Sequence, residues 1–477
     1  MSHKFYITAA IPYVNAKPHI GHVLEFVQAD TVARYHKLLG EDVLLLSGGD
    51  ENALKNVQAA EKAGVPIQEF VDKNTELFHQ LTKKLNAQFD LWQKGSDKEH
   101  HYVSSQELWK RCEKDIYKKS YKGLYCVGCE TFYEREELDE KGECYEHPGK
   151  KLDEVEEENY FFKLSKYQDE ILKLVESGEL EVVPNERKNE VLSFVKSGLK
   201  NISISRSNER ARNWGVPVPG DDTQRIYVWM DALNIYQSGV GFGREEEKYN
   251  KWWPADVHVI GKGIIRFHAV YWPAFLLSAG LKLPKKIFVH GYYTVNGQKM
   301  SKTLENVYDP VPLLEKYGAD PLRYYCLAKT PPFTDGDFSE EKFIDAYNAD
   351  LANGLGNLIA RVAKLAERSG AKFTIYNFQF SNNELNEIKS QLDHFRFDEA
   401  LKRIWIWISD LDKRIENDQP WKLKGNKLND VLNGYVDEVR KIATELWPFL
   451  PETAEKILKQ FAGPKIKSEA PLFPRIR

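Results

Sequence analysis

The sequence predicts an α/β protein whose parallel sheet is interrupted by a small insertion and followed by an all-α region. Three observations predict it. Strand and helix patterns alternate near the N-terminus and again after about residue 225. Between those halves, residues 116–160 break the alternation with Lys, Glu, Gly and three clustered cysteines. From about residue 340 to 462 the apolar period is helical throughout. At 477 residues the chain is too long for one ordinary core, and about three domains are expected.

Taken in order, residues 4–11 (KFYITAAI) read as a buried strand. Residues 20–39 carry Ile20, Val23, Leu24, Val27, Val32 and Leu38 at helical spacing, and Gly40 is a natural stop. DVLLLSGGD (42–50) reads as a second strand ending in a Gly-rich loop, and 53–63 as a second helix. This β-α-β-α order makes a Rossmann-like parallel sheet the economical reading, with ligands at the carboxyl ends of the strands. After residue 225, RIYVWMDAL and DVHVIG read as strands running into site loops. IIRFHAVYWPAFLLSAG reads as a helix, KIFVHGYYTV as a strand and PKIKSEAPLFPRIR as an irregular tail. The expected boundaries are 1–115 with 226–340 for the sheet domain, 116–225 for the insertion, and 341–477 for the bundle and tail.

Composition is that of a soluble globular protein, 42% hydrophobic and 29% charged. No apolar run of about 18 residues exists to span a membrane. The start, MSHKFYITAA, lacks the layout of a signal peptide, so a cytoplasmic location is expected. The net charge of −4 does not advertise a nucleic-acid binder. From Leu351 to Arg477, however, 21 Lys/Arg face 17 Asp/Glu, a mildly basic tail on an acidic body. That asymmetry permits phosphate contact without requiring it. Five cysteines do not make a disulfide framework, and Cys112 and Cys326 read as small buried side chains.

PHIGH (18–22) sits where the first strand gives way to the first helix. The first N–H groups of a helix are unpaired and its dipole end is positive, so an anion belongs there. Gly21 would let a ligand approach the backbone, and His19 and His22 can donate to phosphate oxygens. Taken alone, such a pair is more often a cap or solvated. NGQKMSKTLEN (296–306) puts Lys299 and Lys302 on a polar loop after a strand, where two ammonium groups can follow a phosphate chain. If both stretches end at one crevice, they surround a triphosphate from opposite sides. Cys126-x2-Cys129-x14-Cys144-x2-His147 has the spacing of a closed, structural zinc knuckle. The insertion around it is too polar to fold on a core alone, so folding energy from Zn²⁺ fits.

HIGH followed far downstream by KMSKT resembles the signature pair of class I aminoacyl-tRNA synthetases, with Thr303 keeping the hydroxyl of the family's usual serine. AAIPYVNAKPHIGH, YVWMDALNIY, IGKGIIRFHAVYWPA, the knuckle and PFLPETAEKI are similar to the methionyl-tRNA synthetase family over essentially the whole chain. The resemblance implies activation of L-methionine by ATP with Mg²⁺, then transfer to the 3′-terminal adenosine of tRNA(Met). It implies ATP binding by His19, Gly21, His22, Lys299 and Lys302, with the two histidines and two lysines stabilising the charge that develops. It places Tyr13, Trp229, Ala232, Leu233, Tyr236, Ile264, His268 and Trp272 around the methionine side chain, and Asp50 on the ammonium group. Aromatic walls suit a polarisable thioether. In the bundle, the expected anticodon-binding domain, Asn357, Arg361 and Trp421 would read the anticodon. Asn52-Ala53 departs from the family's common His-Gly, and Gly263 from its usual Asp. With no further tRNA-binding, dimerising domain after the bundle, a monomer is expected. Three alternatives compete: a class I ligase for another amino acid, a catalytically inactive zinc-containing RNA-binding relative, and a nucleotidyltransferase using HxGH alone. The branched-chain ligases carry a larger editing insertion, a pure binder has no use for both phosphate motifs, and a nucleotidyltransferase predicts no bundle.

Overall fold

The computed structural model describes residues 3–129, 131–133, 135–145, 149–300, 306–376 and 386–476. Six strands form one parallel sheet: β1 (Lys4–Ala9), β2 (Asp42–Gly49), β3 (Leu91–Lys94), β4 (Glu181–Val183), β5 (Val257–Gly261) and β6 (Lys286–His290). Their order is β3-β2-β1-β5-β6-β4. The central strands are apolar runs because both faces are covered. The order reverses between β1 and β5, which opens a crevice at their carboxyl ends.

The helix Ile20–Leu38 makes the crossover from β1 to β2 and is buried along most of its length. One apolar core runs from Phe5 and Ile7 through Val23, Leu24 and Val27 into Leu322, Ile404 and Val439 of the helical region. A second core lies on the opposite face of the sheet, around Tyr6, Leu46, Leu233 and Trp272. Sheet and bundle are also joined by charge. Asp30 accepts from Arg34 Nε at 2.9 Å and lies 2.7 Å from Arg323 Nη1, all three being buried. Arg323 in turn donates to the carbonyls of Phe449 and Pro448 at the end of a bundle helix. Burial pushes the Asp30 carboxyl up, but the two guanidinium groups outweigh it and hold the pKa below its ordinary value.

In the insertion, Ile116–Cys126 and Asp153–Phe162 pair antiparallel from Ile116↔Phe162 to Tyr125↔Asp153. This ribbon carries the cysteines at its far end. Among the described residues, the buried core there is Cys126, Leu138, Cys144 and Leu152, with Leu124, Cys129 and Tyr133 packed against it. The helical region is built on Asn357–Ser369, Phe397–Asp418, Gly425–Leu446 and Pro451–Gln460. No helix among the described residues is long and apolar enough to cross a membrane.

Three expectations are corrected. RIYVWMDAL is not a strand throughout: the strand Asp221–Ile226 stops, and Val228–Ser238 is a helix. Every residue of that helix is buried, so it shows no amphipathic period. The stretch 116–225 does not lie wholly outside the sheet, since Glu181–Val183 pairs with β6 as an edge strand. IIRFHAVYWPAFLLSAG is not one regular helix: a π-helical turn, Phe267–Tyr271, precedes the α-helix Trp272–Ala279.

Asp30→Ala would leave Arg34 and Arg323 buried without their shared counter-charge. The expected cost is about 3–5 kcal/mol. It is measured as a drop in the urea midpoint, and a loss confined within about 0.5 kcal/mol would contradict the network's role.

Candidate active site

The loops leaving β1 and β2 are joined directly. Asp50 N–H donates to Pro12 O at 2.9 Å, and Tyr13 bridges Asp50 in parallel. From there the chain reaches His19, the N-cap of Ile20–Leu38. Two reciprocal hydrogen bonds close the first turn: Gly21 N–H donates to His19 Nδ1, and His19 N–H donates to His22 Nδ1, both at 3.1 Å. An accepting Nδ1 carries no hydrogen, so each neutral ring bears its hydrogen on Nε2 and can donate outward. Burial, then the neighbouring His19, hold the His22 pKa well below its usual value. The rings lie 4.0 Å apart, and His22 meets Phe78 edge-on.

This corrects the expectation of free helix amides. Ile20 N–H is taken by Tyr308 O at 3.1 Å, Gly21 N–H by His19 and His22 N–H by His19 O. With the backbone N–H groups taken, the remaining donors of this turn are the imidazole N–H groups. Gly21 has a local reason as well, since a Cβ there would stand 3.0 Å from His19 Cε1 and 3.4 Å from Met300 Cε.

Met300 belongs to KMSKT, so that loop and HIGH meet. The strand Tyr293–Val295 turns at Asn296 and Gly297, both left-handed at φ 52° and 74°. That is the geometry of a tight hairpin turn. Gln298 and Lys299 pair back on the strand, and Gly297 N–H donates to Asp337 Oδ1 at 2.6 Å. The Lys299 side chain, and Lys302 and Thr303 altogether, lie outside the described residues, as does His147.

Beside this, Trp229 stacks on Phe267 at 3.7 Å, and Tyr13 meets the Trp229 edge at 6.0 Å. Lys55 Nζ stands 2.7 Å over the Tyr13 ring. Behind them Tyr236 O–H donates to His268 Nε2 at 2.8 Å, and His268 Nδ1–H donates to Ile264 O at 3.0 Å. Burial lowers the His268 pKa to about 4, so that ring is neutral. Ala232 and Leu233 are buried on the same helix as Trp229 and Tyr236. Trp272 is fully buried and packs edge-on to Trp253, deeper in the core. Asp50 is also buried. Phe267 and Lys55 were not legible in the sequence; only the position of Phe267 beside His268 could have drawn attention to it.

The departures from the family pattern have structural partners. Asn52 Nδ2 donates to Gly95 O and Asp231 Oδ2, both at 2.7 Å. Asp231 Oδ1 also bonds His101 Nε2 and Ser105 Oγ, so this loop is tied to the pocket helix. Gly263 N–H donates to Tyr292 Oη at 2.6 Å, which fixes the turn before Ile264.

Cys144 Sγ lies 3.6 Å from Cys126 Sγ and 3.4 Å from Cys129 Sγ. One tetrahedral ion with metal–sulfur bonds of about 2.3 Å would set its ligands ~3.8 Å apart, so the donor set fits zinc. None of the five cysteines is in a disulfide. In the bundle, Arg361 pairs with Asp412 and Glu416 at 2.9 and 2.6 Å and lies 5.8 Å from the Trp421 ring centre. Trp421 is 54% exposed, which leaves a face open for stacking. Asn357 is exposed one turn before Arg361.

A family model described as tRNA synthetases class I (M) matches residues 5–363. A methionine–tRNA ligase of Thermotoga maritima is 42% identical over 480 residues, spanning 96% of this chain and 75% of the relative. One from Brucella melitensis is 40% identical over 483 residues, spanning 98% and 93%. Among solved structures, Mycobacterium tuberculosis methionyl-tRNA synthetase in complex with methionyl-adenylate matches with a TM-score of 0.92 at 36% identity. That match covers 99% of this chain and 100% of the other.

His22, His258 and His268 all have lowered pKa values through burial. Unfolding frees them to take up protons below their ordinary value of 6.5, so the unfolded state binds more protons. Stability is therefore expected to fall as pH drops from about 6.5 towards 4, by up to ~3 kcal/mol from His268 alone. Urea midpoints of the wild type and His268→Gln across that window check this. The variant should show the shallower slope, and equal slopes would contradict it.

Proposed function

The chain belongs to the methionyl-tRNA synthetase family of class I tRNA synthetases, and from that membership we propose how its residues carry out methionine–tRNA ligation. The chain is a methionine–tRNA ligase. The observation that carries the residue-level reading is the meeting of HIGH and KMSKT at the sheet's switch point, through Gly21, Met300 and Tyr308.

Methionine's carboxylate attacks the α-phosphorus of ATP, and pyrophosphate leaves. A carboxylate nucleophile needs no general base, so catalysis is positioning and charge stabilisation. His19 and His22, held as Nε2–H donors, bond phosphate oxygens as negative charge builds on them. Lys299 and Lys302 neutralise the departing pyrophosphate, and Mg²⁺ arrives with ATP. Asp50 receives the amino-acid ammonium group. Tyr13, Trp229, Tyr236, His268, Ala232, Leu233 and Ile264 enclose the thioether, with Trp272 buttressing them from behind. His268 is neutral and its Nε2 is occupied by Tyr236, so this ring presents no charge to the sulfur. The 2′-hydroxyl of the tRNA's terminal adenosine then attacks the adenylate carbonyl, the acyl–phosphate bond breaks, and AMP leaves.

Cys126, Cys129 and Cys144, with His147 as fourth ligand, would hold Zn²⁺, which supplies folding energy to a knuckle with almost no core. Asn357, Arg361 and Trp421 read the anticodon of tRNA(Met), Trp421 by stacking on a splayed base.

The reading is tested by ATP–pyrophosphate exchange with each of the twenty amino acids. Exchange with methionine alone is expected; exchange with another amino acid instead, or with none, would overturn it. His19→Ala is expected to lower kcat by about 10²–10³ while methionine affinity holds, as for loss of one charge-stabilising donor. Trp421→Ala is expected to leave exchange intact and weaken aminoacylation through tRNA, by roughly 10- to 100-fold in kcat/KM for tRNA. Unchanged charging would remove Trp421 from the anticodon site.

A further inference from the structure

The turn that bears the knuckle cysteines does not stand apart from the catalytic crevice. Trp229 Nε1–H donates to the carbonyl of Cys129 at 3.1 Å, across 100 residues of sequence. Lys55 Nζ donates to the neighbouring carbonyl of Gly128 at 3.2 Å. Both donors belong to the aromatic wall. Lys55 stands on the face of Tyr13, Tyr13 meets Trp229 edge-on, and Trp229 stacks on Phe267. The contacts close a ring that starts and ends on two consecutive knuckle carbonyls.

We propose that the Gly128–Cys129 turn positions the aromatic wall of the methionine pocket, so that metal occupancy of the cysteine cluster sets affinity for methionine. The reason is geometric. Cys129 offers its sulfur to the ion and its carbonyl to Trp229, and those two atoms belong to one residue. An ion that fixes the sulfur fixes the direction of the carbonyl. Among the described residues the turn is also held by the Cys126↔Thr131 pairing and by Tyr133 O–H on Cys129 Sγ, and the buried core beside it is small, Cys126, Leu138, Cys144 and Leu152, so an ion on the sulfurs adds a main restraint. Once the turn is released, Trp229 loses its acceptor and Lys55 its anchor, and the pocket wall is free to shift. The two carbonyls bond the methionine wall, so the effect is expected on methionine rather than on ATP. Cys129 and Lys55 are thus positioning residues that act through Trp229 and Tyr13. The proposal rests on the pocket taking methionine.

The test measures L-methionine and ATP binding to the full chain by calorimetry, in the zinc-loaded form, after chelation, and after zinc is restored. Failure of the zinc-loaded wild type to bind methionine would overturn the pocket reading itself. Given that binding, chelation is expected to weaken methionine about three- to tenfold, the worth of a hydrogen bond, and leave ATP within twofold. Restored zinc should recover the affinity. Trp229→Phe keeps a ring to stack on Phe267 but has no donor. Its affinity should start lower and change little on chelation. An equal loss in variant and wild type, or an equal loss for ATP, would overturn the proposal. Should chelation unfold the chain, as read by circular dichroism, cadmium exchange gives a second measurement. Cadmium keeps the knuckle closed but lengthens its bonds to sulfur. The indole N–H resonance of Trp229, identified by its absence in Trp229→Phe, should then shift more than those of the other tryptophans. A resonance that stays in place would overturn the proposal.

Discussion

Two hydrogen bonds at the first turn of Ile20–Leu38 fix the proton positions on the two histidines from which the proposed chemistry proceeds. His19 Nδ1 accepts from Gly21 N–H, and His22 Nδ1 accepts from His19 N–H. The bonds contribute as caps, about 1 kcal/mol each. Their larger effect is on the rings, which are left with one hydrogen each, on the outward nitrogen. Proton placement, ring direction and helix start are thus one constraint. Gly21 belongs to it because a side chain there would press on His19 and on Met300.

The helix that carries this cap is held at several levels. Its apolar face lies on the sheet, and its other side joins the core of the bundle. Asp30, lower on the same helix, is gripped by Arg34 and Arg323, and Arg323 reaches the carbonyls of Pro448 and Phe449. A buried charge group of this kind is expensive to desolvate and adds little net stability over an apolar replacement. What it does supply is a fixed distance between the catalytic helix and the end of a bundle helix. The same logic holds at the pocket, where Asn52 and Asp231 tie the loop after β2 to Val228–Ser238.

The sequence made local features readable and long-range ones not. β1, the first helix and β2 were legible because their periods change sharply at turn residues. HIGH and KMSKT were legible as motifs, and the meeting of Gly21 with Met300 was inferable from strand ends. The helix Val228–Ser238 was hidden because burial on all sides erases periodicity. The edge strands β3 and β4 have four and three residues, too few to show a pattern. Arg323 looks in the sequence like any surface cation, yet it is fully buried. Arg361 and Trp421 are 60 positions apart, and only the family resemblance pointed to both; the structure sets them side by side. Nothing in the sequence marks the knuckle carbonyls as acceptors for Trp229 and Lys55.

The most direct measurement is of the protons themselves, by ¹⁵N-resolved NMR of the histidine side chains in the substrate-free chain near pH 7. The account predicts that His19 and His22 each show a protonated, pyrrole-like Nε2 and an unprotonated, pyridine-like Nδ1. It predicts that His268 shows the opposite tautomer, with its hydrogen on Nδ1. Finding His19 or His22 protonated on Nδ1, or rapidly exchanging between tautomers, would contradict the reciprocal cap and remove the fixed donors on which the proposed phosphate site depends.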